Sequence, residues 1–266
     1  MQNDKSKFKS DHPRVSIVIP SYNKGKYIKE TLQSIVDQKY PNLEVIIQDG
    51  GSTDSSLNII KHYSEKHDYI KWESKKDKGQ VDAINKGLKK ATGDVLTFIN
   101  ADDVYEKDAL INVAEAYKKH PKAMWFAGRG RVIDAGGKEI AKLVTIYKNF
   151  LLKLNSYALL LTVNYFIQSS VFITNNAYKK HGPFVGQKGT VMEYDLWLNL
   201  GKVQMPTLIE GVPSNFRLIK SGISISEVDK VMAEDYKIAA KYTSNIFILA
   251  FHLFNNFGRK LLSKIY

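Results

Sequence analysis

Short apolar runs alternate with helical patterns along the first hundred residues of the chain. Runs rich in Val, Ile, Leu and Phe, bounded by Pro, Gly, Asn or Asp, are typical of buried strands. Between them, apolar residues recur at spacings of three and four, which predicts amphipathic helices. The alternation predicts an α/β fold with a mostly parallel sheet. The predicted strands span 15–19, 43–48, 69–73 and 95–99, with helices at 28–36, around 57–63 and at 79–91.

The second half of the chain is less regular. The polar residues 1–13 are set apart as a flexible tail, but no linker or internal repeat divides the rest of the chain. We predict helices at 106–119, 147–161, 193–200, 227–242 and 244–265, and strands at 123–127, 131–133, 139–145, 166–173, 203–209 and 214–218.

Composition narrows the class of protein. The chain has 266 residues, a formal net charge of +12 and no cysteine. The charge favours an anionic partner such as a phosphorylated substrate or a lipid surface, and the absence of a nucleic-acid-binding motif argues against DNA or RNA. Without cysteine there is no disulfide or thiolate metal site, which fits a reducing compartment. No signal-peptide pattern or membrane-spanning run is present, which favours a cytoplasmic location.

Three polar clusters come after predicted strands, at 20–23, 49–52 and 100–103. In an open α/β sheet, ligands bind beyond the carboxyl ends of the strands, so these clusters are expected to converge on one site. That arrangement suits a nucleotide, although polar loops are common in any such fold. Neither GxGxxG nor GxxxxGK[ST] is present, so the dinucleotide and P-loop fingerprints are missing.

Two adjacent carboxylates end the fourth strand, in the stretch VLTFINADD. Oxygen ligands at this spacing suit Mg²⁺ or Mn²⁺, which makes Asp102 and Asp103 candidate metal ligands. The alternative is an ordinary turn or helix cap, where Asp is frequent.

Another acidic cluster begins the predicted helix in MEYDLWLNL. Glu193 lies in its first turn, where a carboxylate commonly interacts with the helix dipole. The alternative is a general base beside the ligand site.

Four segments together resemble the family 2 glycosyltransferases. They are VSIVIPSYNKGKYIKETLQSIVDQ, VIIQDGGSTDSS, DKGQVDAINKGLKKATGDVLTFINADD and MEYDLWLNL, in that order. The resemblance covers about residues 14–220. It implies a GT-A fold with a nucleotide-sugar-binding half at 14–104, an acceptor-side half at 105–225 and a C-terminal helical segment at 226–266. It also implies inverting, metal-dependent transfer of a sugar from a nucleoside-diphosphate donor to a glycan or lipid-linked acceptor, as in cell-surface polysaccharide synthesis.

The resemblance also assigns roles to residues. Pro20, Tyr22 and Asp49 correspond to positions that hold the nucleoside, and Asn100-Ala101-Asp102 corresponds to the DxD metal motif. Glu193 occupies the position of the catalytic base, with Asp195 as the fallback. A divalent cation, Mn²⁺ or Mg²⁺, is the implied cofactor, held by Asp102 with help from Asp103. The full set implied for the nucleotide sugar is Pro20, Ser21, Tyr22, Asn23, Asp49, Gly79, Gln80, Asp82, Asn100, Ala101, Asp102 and Gln168.

The chain departs from the family pattern at three positions. Ile84 stands where many relatives have Arg, with Lys78 or Lys86 as substitutes for the lost charge. Ile219 stands where relatives often have a His near the metal, and Asn100 replaces the first Asp of DxD. These departures keep open a non-catalytic nucleotide- or glycan-binding module. A nucleotidyltransferase is the other alternative.

The C-terminal segment has a broad apolar surface with basic residues near its end. Such a helix is expected to lie in a bilayer interface, on the cytoplasmic face of a membrane, or else to pack on the core or on a second copy. The sequence leaves the oligomeric state open. The apolar residues are Ile246, Phe247, Leu249, Ala250, Phe251, Leu253, Phe254, Phe257, Leu261 and Ile265, and the basic ones are Arg259, Lys260 and Lys264.

Overall fold

The computed structural model describes residues 12–186, 191–219 and 226–262. The strands are β1 (Val15–Ser21), β2 (Leu43–Asp49), β3 (Ile70–Ser74), β4 (Val95–Phe98), β5 (Val104–Tyr105), β6 (Trp125–Ala127), β7 (Gly130–Ile133), β8 (Glu139–Ile140), β9 (Val171–Thr174), β10 (Thr207–Leu208) and β11 (Ser214–Arg217). The helices are α1 (Ile28–Val36), α2 (Ser56–Lys66), α3 (Gln80–Lys90), α4 (Ala109–Lys119), α5 (Lys142–Leu154), α6 (Tyr157–Thr162), α7 (Asn175–His181), α8 (Met192–Val203), α9 (Val228–Tyr242) and α10 (Ile246–Leu262).

A seven-stranded sheet organises the fold, in the order β10-β6-β9-β4-β1-β2-β3. The predicted mostly parallel sheet is confirmed, because β1 pairs in parallel with both β2 and β4, and β2 with β3. Strand β9 is the exception, running antiparallel to β4 and β6. A smaller sheet, β5-β11-β7-β8, lies beyond the end of β4.

The central strand β1 is buried on both faces, which explains its nearly continuous apolar sequence. Ile17 and Ile19 face a core shared with α1 and α4, while Val18 faces the opposite core. On that side α3 approaches β1 closely at Gly87, where an added Cβ would lie 2.4 Å from Val18. The two cores hold the sheet rigidly, so the loops at its carboxyl edge have a fixed base.

Several predictions for the second half were wrong. The predicted strand 139–145 contains only the two residues of β8, because Ala141 is left-handed (φ 52°) and α5 starts at Lys142. The predicted helix 147–161 is two helices, α5 and α6, separated at Asn155, which is also left-handed (φ 47°). The predicted strand 166–173 is reduced to β9, preceded by a 3-10 turn at Gln168–Ser170.

Two further differences concern the region around α8. This helix continues through Val203, so the predicted strand 203–209 shrinks to β10. Helix α7 was not predicted, and Thr174 caps it by accepting a hydrogen bond from the amide of Ala177 at 3.2 Å.

The C-terminal segment forms α9 and α10. Within the described ranges, no helix combines the length and the apolar content needed to cross a lipid bilayer. Residues 1–11 of the predicted tail lie outside the described residues, as do Lys264 and Ile265.

Candidate active site

The loops after β1, β2 and β4 meet at one edge of the sheet, as the polar clusters predict. The amide of Gly50 donates to the carbonyl of Ser21 at 2.8 Å, and the amide of Asn23 donates to Ser52 Oγ at 2.8 Å. Gln80, at the start of α3, donates from Nε2 to Asn100 Oδ1 at 2.6 Å. These contacts join the three loops and α3 into the wall of a cleft of about 610 Å³.

Most of the predicted site residues line this cleft, and they come from both halves of the chain. Gly79 turns the chain into α3 with φ 110°, a conformation that favours glycine. Those that line the cleft are Pro20, Ser21, Tyr22, Gly79, Gln80, Asn100, Ala101, Asp102, Gln168 and Glu193, and those that do not are Asn23, Asp49, Asp82, Asp103 and Asp195.

Asp102, after β4, is one of the acidic residues that line the cleft. Its carboxylate lies 2.5 Å from the ammonium group of Lys24, which also lines the cleft. Its side chain is only 12% exposed. The backbone of this loop is fixed from behind, because the buried guanidinium of Arg217 donates from Nε to the carbonyl of Asp102 at 2.7 Å and pairs with Glu30 at 2.5 Å.

Asp103 points away from the cleft. It is fully buried, and its two oxygens accept from the amide of Arg217 at 2.8 Å and from Asn100 Nδ2 at 3.2 Å. Burial, and then the adjacent Asp102 carboxylate, raise the pKa of Asp103 well above its ordinary value. Asp103 therefore anchors the loop to β11, and its predicted role as a metal ligand is not favoured by this geometry.

Asp49 also lies behind the cleft wall. It is 2% exposed, and its Oδ2 accepts from the amides of Gly51 and Ser52, at 3.0 and 2.8 Å, and from Ser74 Oγ at 2.7 Å. Its Oδ1 accepts from Ser52 Oγ at 2.5 Å. The carboxylate thus shapes the loop whose first residue, Gly50, reaches the cleft.

Asp82 and Asn23 are likewise turned away from the cleft. Asp82 lies on the outer side of α3, where it pairs with Lys86 at 2.7 Å and accepts from the amide of Lys78 at 3.0 Å. Asn23 Oδ1 accepts from the amide of Thr53 at 2.9 Å. Both residues therefore stabilise the loops of the site.

The two carboxylates at the start of α8 point in different directions. Residues two positions apart on a helix are separated by about 200° around its axis. Glu193 lines the cleft, whereas Asp195 faces α9, where it pairs with Lys241 at 3.5 Å and accepts from the hydroxyl of Tyr242 at 3.3 Å. Of the pair, the geometry therefore favours Glu193 as a group that meets substrate.

Glu193 has an environment suited to a base near neutral pH. Burial raises the pKa of Glu193 to about 7, an increase to which Asp235 adds and which Arg259 and Lys148 oppose. Lys148 is half-buried, and desolvation lowers its pKa to about 8. The charges that influence the glutamate therefore come from Lys148, the buried Asp235 and the partly exposed Arg259.

Sequence reasoning missed several residues of the cleft. The departures from the family pattern suggested Lys78 or Lys86 as a source of positive charge, but the lysines that line the cleft are Lys24 and Lys76. Lys24 comes directly after the first polar cluster, a position that could have drawn attention to it. The other missed residues are Asp77, Ala83, Phe98, Met192 and Leu218.

A parallel sheet whose strand-end loops enclose a carboxylate cleft, with a partly buried glutamate in the same cleft, matches the fold of GT-A glycosyltransferases. The chain superimposes on S. aureus TarS 1-349 in complex with UDP-GlcNAc with a TM-score of 0.64, 18% identity and coverage of 86% of this chain and 71% of that one. It matches the mannosyltransferase PcManGT from Pyrobaculum calidifontis, in complex with GDP-Man and Mn²⁺, with a TM-score of 0.64, 18% identity and coverage of 91% and 73%.

The chain belongs to the glycosyl transferase family 2, whose sequence model matches residues 16–181. It is 38% identical over 142 residues to a Methanococcus voltae enzyme, dolichyl N-acetyl-alpha-D-glucosaminyl phosphate 3-beta-D-2,3-diacetamido-2,3-dideoxy-beta-D-glucuronosyltransferase. That match covers 49% of this chain and 43% of the relative. The chain thus spans less than half the length of this relative.

Proposed function

We propose that this protein transfers a sugar from a nucleoside-diphosphate donor to a glycan or lipid-linked acceptor, with inversion at the anomeric carbon. The observation that carries the proposal is the shared cleft, which Asp102 and Lys24 line together with the glutamate of α8. Inverting transfer is a single displacement that needs one base on the face opposite the leaving group. Of the carboxylates that line the cleft, Glu193 has a pKa raised to about 7 by burial, and it is the proposed base.

The nucleoside is proposed to lie on the loops after β1 and β2. Tyr22 is 61% exposed and lines the cleft, so its ring is available to stack on a base. Pro20 and Gly50 line the same region. Asp49 supports this site from behind through its hydrogen bonds to the β2 loop, rather than through a direct contact.

The diphosphate is proposed to lie between the lysines and Asp102. Lys24 and Lys76 both line the cleft, and they are the proposed replacement for the Arg that many relatives have at the position of Ile84. Ile84 itself is fully buried in the core. When the donor binds, we expect Lys24 to exchange its contact with Asp102 for one with a phosphate oxygen.

The residues that line the cleft fit a divalent cation that is held by the protein and by the phosphates of the donor together. No cluster of three acidic, histidine or cysteine side chains that would cage a metal occurs among the described residues. Magnesium-type ions, however, are commonly held by one or two carboxylates and the substrate phosphates. Asp102 would hold such an ion, whereas Asn100 Oδ1 is already occupied by Gln80. The ion would neutralise the charge that builds on the leaving diphosphate.

Glu193 is proposed to accept the proton of the acceptor hydroxyl. Gln168 lines the cleft and donates from Nε2 to the carbonyl of Phe98 at 2.8 Å, which leaves its buried Oε1 without a protein partner among the described residues. We propose that this oxygen accepts a hydrogen bond from a sugar hydroxyl.

These assignments divide the chain into a donor half and an acceptor half. The donor is held mainly by residues 14–104, and the acceptor is met by residues 105–225. A lipid-linked acceptor is supported by the Methanococcus voltae relative, whose name includes a dolichyl phosphate. A role in cell-surface polysaccharide synthesis is supported by a Bacillus subtilis relative named as a putative teichuronic acid biosynthesis glycosyltransferase.

Donor turnover tests this proposal. The protein is incubated with UDP-, GDP- and dTDP-sugars and Mn²⁺ or Mg²⁺, and the release of nucleoside diphosphate is measured with water or added lipid-linked sugars as acceptor. Glu193→Gln is expected to lower turnover about 10²- to 10⁴-fold. Asp195→Asn, two residues away and outside the cleft, is the matched control and should stay within a few-fold of the wild type. Absence of donor consumption with every sugar, or full activity of Glu193→Gln, would contradict the proposal.

A further inference from the structure

Helix α10 buries polar side chains against the protein and leaves most of its large apolar side chains in solvent. Of its apolar residues, Ile248 and Leu249 are partly buried against the core. His252 and Asn256 are buried, at 1% and 7% exposure, and they contact the carbonyls of Leu161 and Met232 at 2.9 and 3.2 Å. On the opposite side, Phe254 is 68% exposed. A helix that packs on a protein core buries its apolar side instead. The outer side of α10 therefore has the character of a surface that meets an apolar environment.

Helix α5 continues this surface. Leu143, Ile146, Phe150 and Leu154 are all more than half exposed, at the spacings of one helical stripe. The two helices touch where the hydroxyl of Tyr147 donates to Asn255 Oδ1 of α10 at 2.9 Å. Twelve of the seventeen exposed large hydrophobic side chains among the described residues lie on α5 and α10. We call the exposed apolar side chains of these two helices the α5–α10 face.

The charge of the α5–α10 face has one sign. Neither helix contains an Asp or a Glu. Lys142 and Lys153 are exposed on α5, and Arg259 and Lys260 lie in the last turn of α10. Arg259 and Lys260 also pair with acidic side chains of α9, Asp235 and Asp229. A basic, aromatic-rich apolar surface complements anionic lipid, because the ring side chains enter the interface while lysines and arginines meet the headgroups. A second copy of the chain, docked through the same face, would instead bring positive charges against positive charges.

The inner sides of the same helices carry positive charges that interact with the protein. Lys148 of α5 donates to the carbonyl of Phe166 at 3.3 Å, and Arg259 of α10 pairs with the buried Asp235 at 2.7 Å. Both cations, with Asp235, are near enough to Glu193 to influence its ionisation. Tyr194, the neighbour of Glu193 on α8, also stacks on His252 of α10, with their ring centroids 6.2 Å apart. Helix α10 thus packs directly on the helix that carries the glutamate of the cleft.

We propose that the α5–α10 face docks the protein on an anionic phospholipid bilayer, with the Glu193 side of the cleft turned toward acceptors held in that bilayer. The docking part rests only on the exposed surface and its charge. The orientation of the acceptor rests on the proposed function as well.

Vesicle flotation of the full chain tests the docking. The vesicles are phosphatidylcholine with and without phosphatidylglycerol. The wild type should float with the anionic vesicles and much less with the neutral ones. A double variant, Phe150→Ser with Phe254→Ser, should bind at least about tenfold more weakly. Trp72→Ser, an exposed aromatic on β3 at the far edge of the sheet, is the matched control and should bind like the wild type. Lys153→Gln should weaken binding to anionic vesicles about fivefold.

Two results would overturn the inference. One is a wild-type chain that does not float with anionic vesicles. The other is a dimer, seen by sedimentation velocity without lipid, that the double variant converts to monomers. The same variants are assayed for nucleoside-diphosphate binding, which needs no lipid. If nucleotide binding is intact and flotation fails, only the docking is wrong, whereas flotation without nucleotide binding removes the proposed function and leaves the docking.

Discussion

Helices α1 and α10 are both amphipathic, but the side chains that they bury most completely differ in kind. In α1 the buried side is apolar, with Ile28, Leu32 and Ile35 at 0% exposure. In α10 the buried side chains are His252 and Asn256. The difference arises from what each helix packs against. The sheet offers α1 an apolar surface, whereas α6 and α9 offer α10 the carbonyls of Leu161 and Met232. A periodic pattern thus defines two sides of a helix, and the neighbouring element decides which one is buried.

The largest difference expected between the two helices is in how much a truncated side chain lowers the free energy of unfolding. Leu32→Ala should lower the free energy of unfolding by about 2–5 kcal/mol, because it leaves a cavity in a closed core. Phe254→Ala on α10 should change it by no more than about 0.5 kcal/mol without lipid, because the ring is already in water. Urea denaturation measures both. Equal losses in the two variants would show that the outer side of α10 packs against protein in solution.

The next effect is the pH dependence of transfer. The base must be ionised to accept a proton, and burial raises the pKa of Glu193 to about 7. Turnover should therefore fall about tenfold per pH unit as the pH decreases below 7, and level off above it. A profile of kcat/KM against pH measures this. A rate that stays constant down to pH 5 would mean that the base is not a buried carboxyl group of this kind.

The inward-facing polar side of α10 gives the third prediction. Arg259→Met leaves the buried Asp235 without its cation and should cost about 1–3 kcal/mol of stability near pH 8. Burial raises the pKa of Asp235, and Arg259 lowers it. Loss of Arg259 therefore raises the pKa of Asp235 further. The destabilisation should therefore shrink as the pH falls and Asp235 becomes protonated. Arg259→Lys is the control and should retain most of the stability; a pH-independent loss would point to packing instead of charge.

The smallest effect is expected on the outward polar side of α3. Lys86 forms an exposed pair with Asp82, four positions earlier on the same helix. Such pairs contribute about 0.3–0.5 kcal/mol. Lys86→Met should therefore leave stability and nucleotide binding nearly unchanged, in contrast to Arg259→Met, as thermal unfolding with and without nucleotide would show. A strong loss of nucleotide binding would place Lys86 in the donor site after all.

The first half of the fold was predictable because its signals are local. Strands β1, β2 and β4 are buried apolar runs that each end in a polar cluster, so both the sheet and the convergence of the three loops can be read from the pattern. The antiparallel insertion of β9 depends on pairing with β4 and β6, which are distant in sequence, and no local signal reports it.

Within the candidate site, the sequence identified residues more reliably than their directions. Asp102 and Asp103 are adjacent, yet one lines the cleft and the other is fixed to Arg217. Glu193 and Asp195 point in different directions because both lie on α8, which begins at Met192. Lys148 and Asp235 could not be connected with Glu193 from sequence, since they lie on three separate helices.

The most direct test of the account is thermal unfolding with nucleoside diphosphates, with and without Mn²⁺. The central claim is that Asp102 serves the donor and Glu193 serves the acceptor in one cleft. UDP or GDP with Mn²⁺ should stabilise the wild type and Glu193→Gln to a similar extent, since a ligand that binds the folded state raises its stability. Asp102→Ala should lose the Mn²⁺-dependent part. If no nucleotide stabilises the wild type, or if Asp102→Ala keeps the full shift, the donor site is not where we propose.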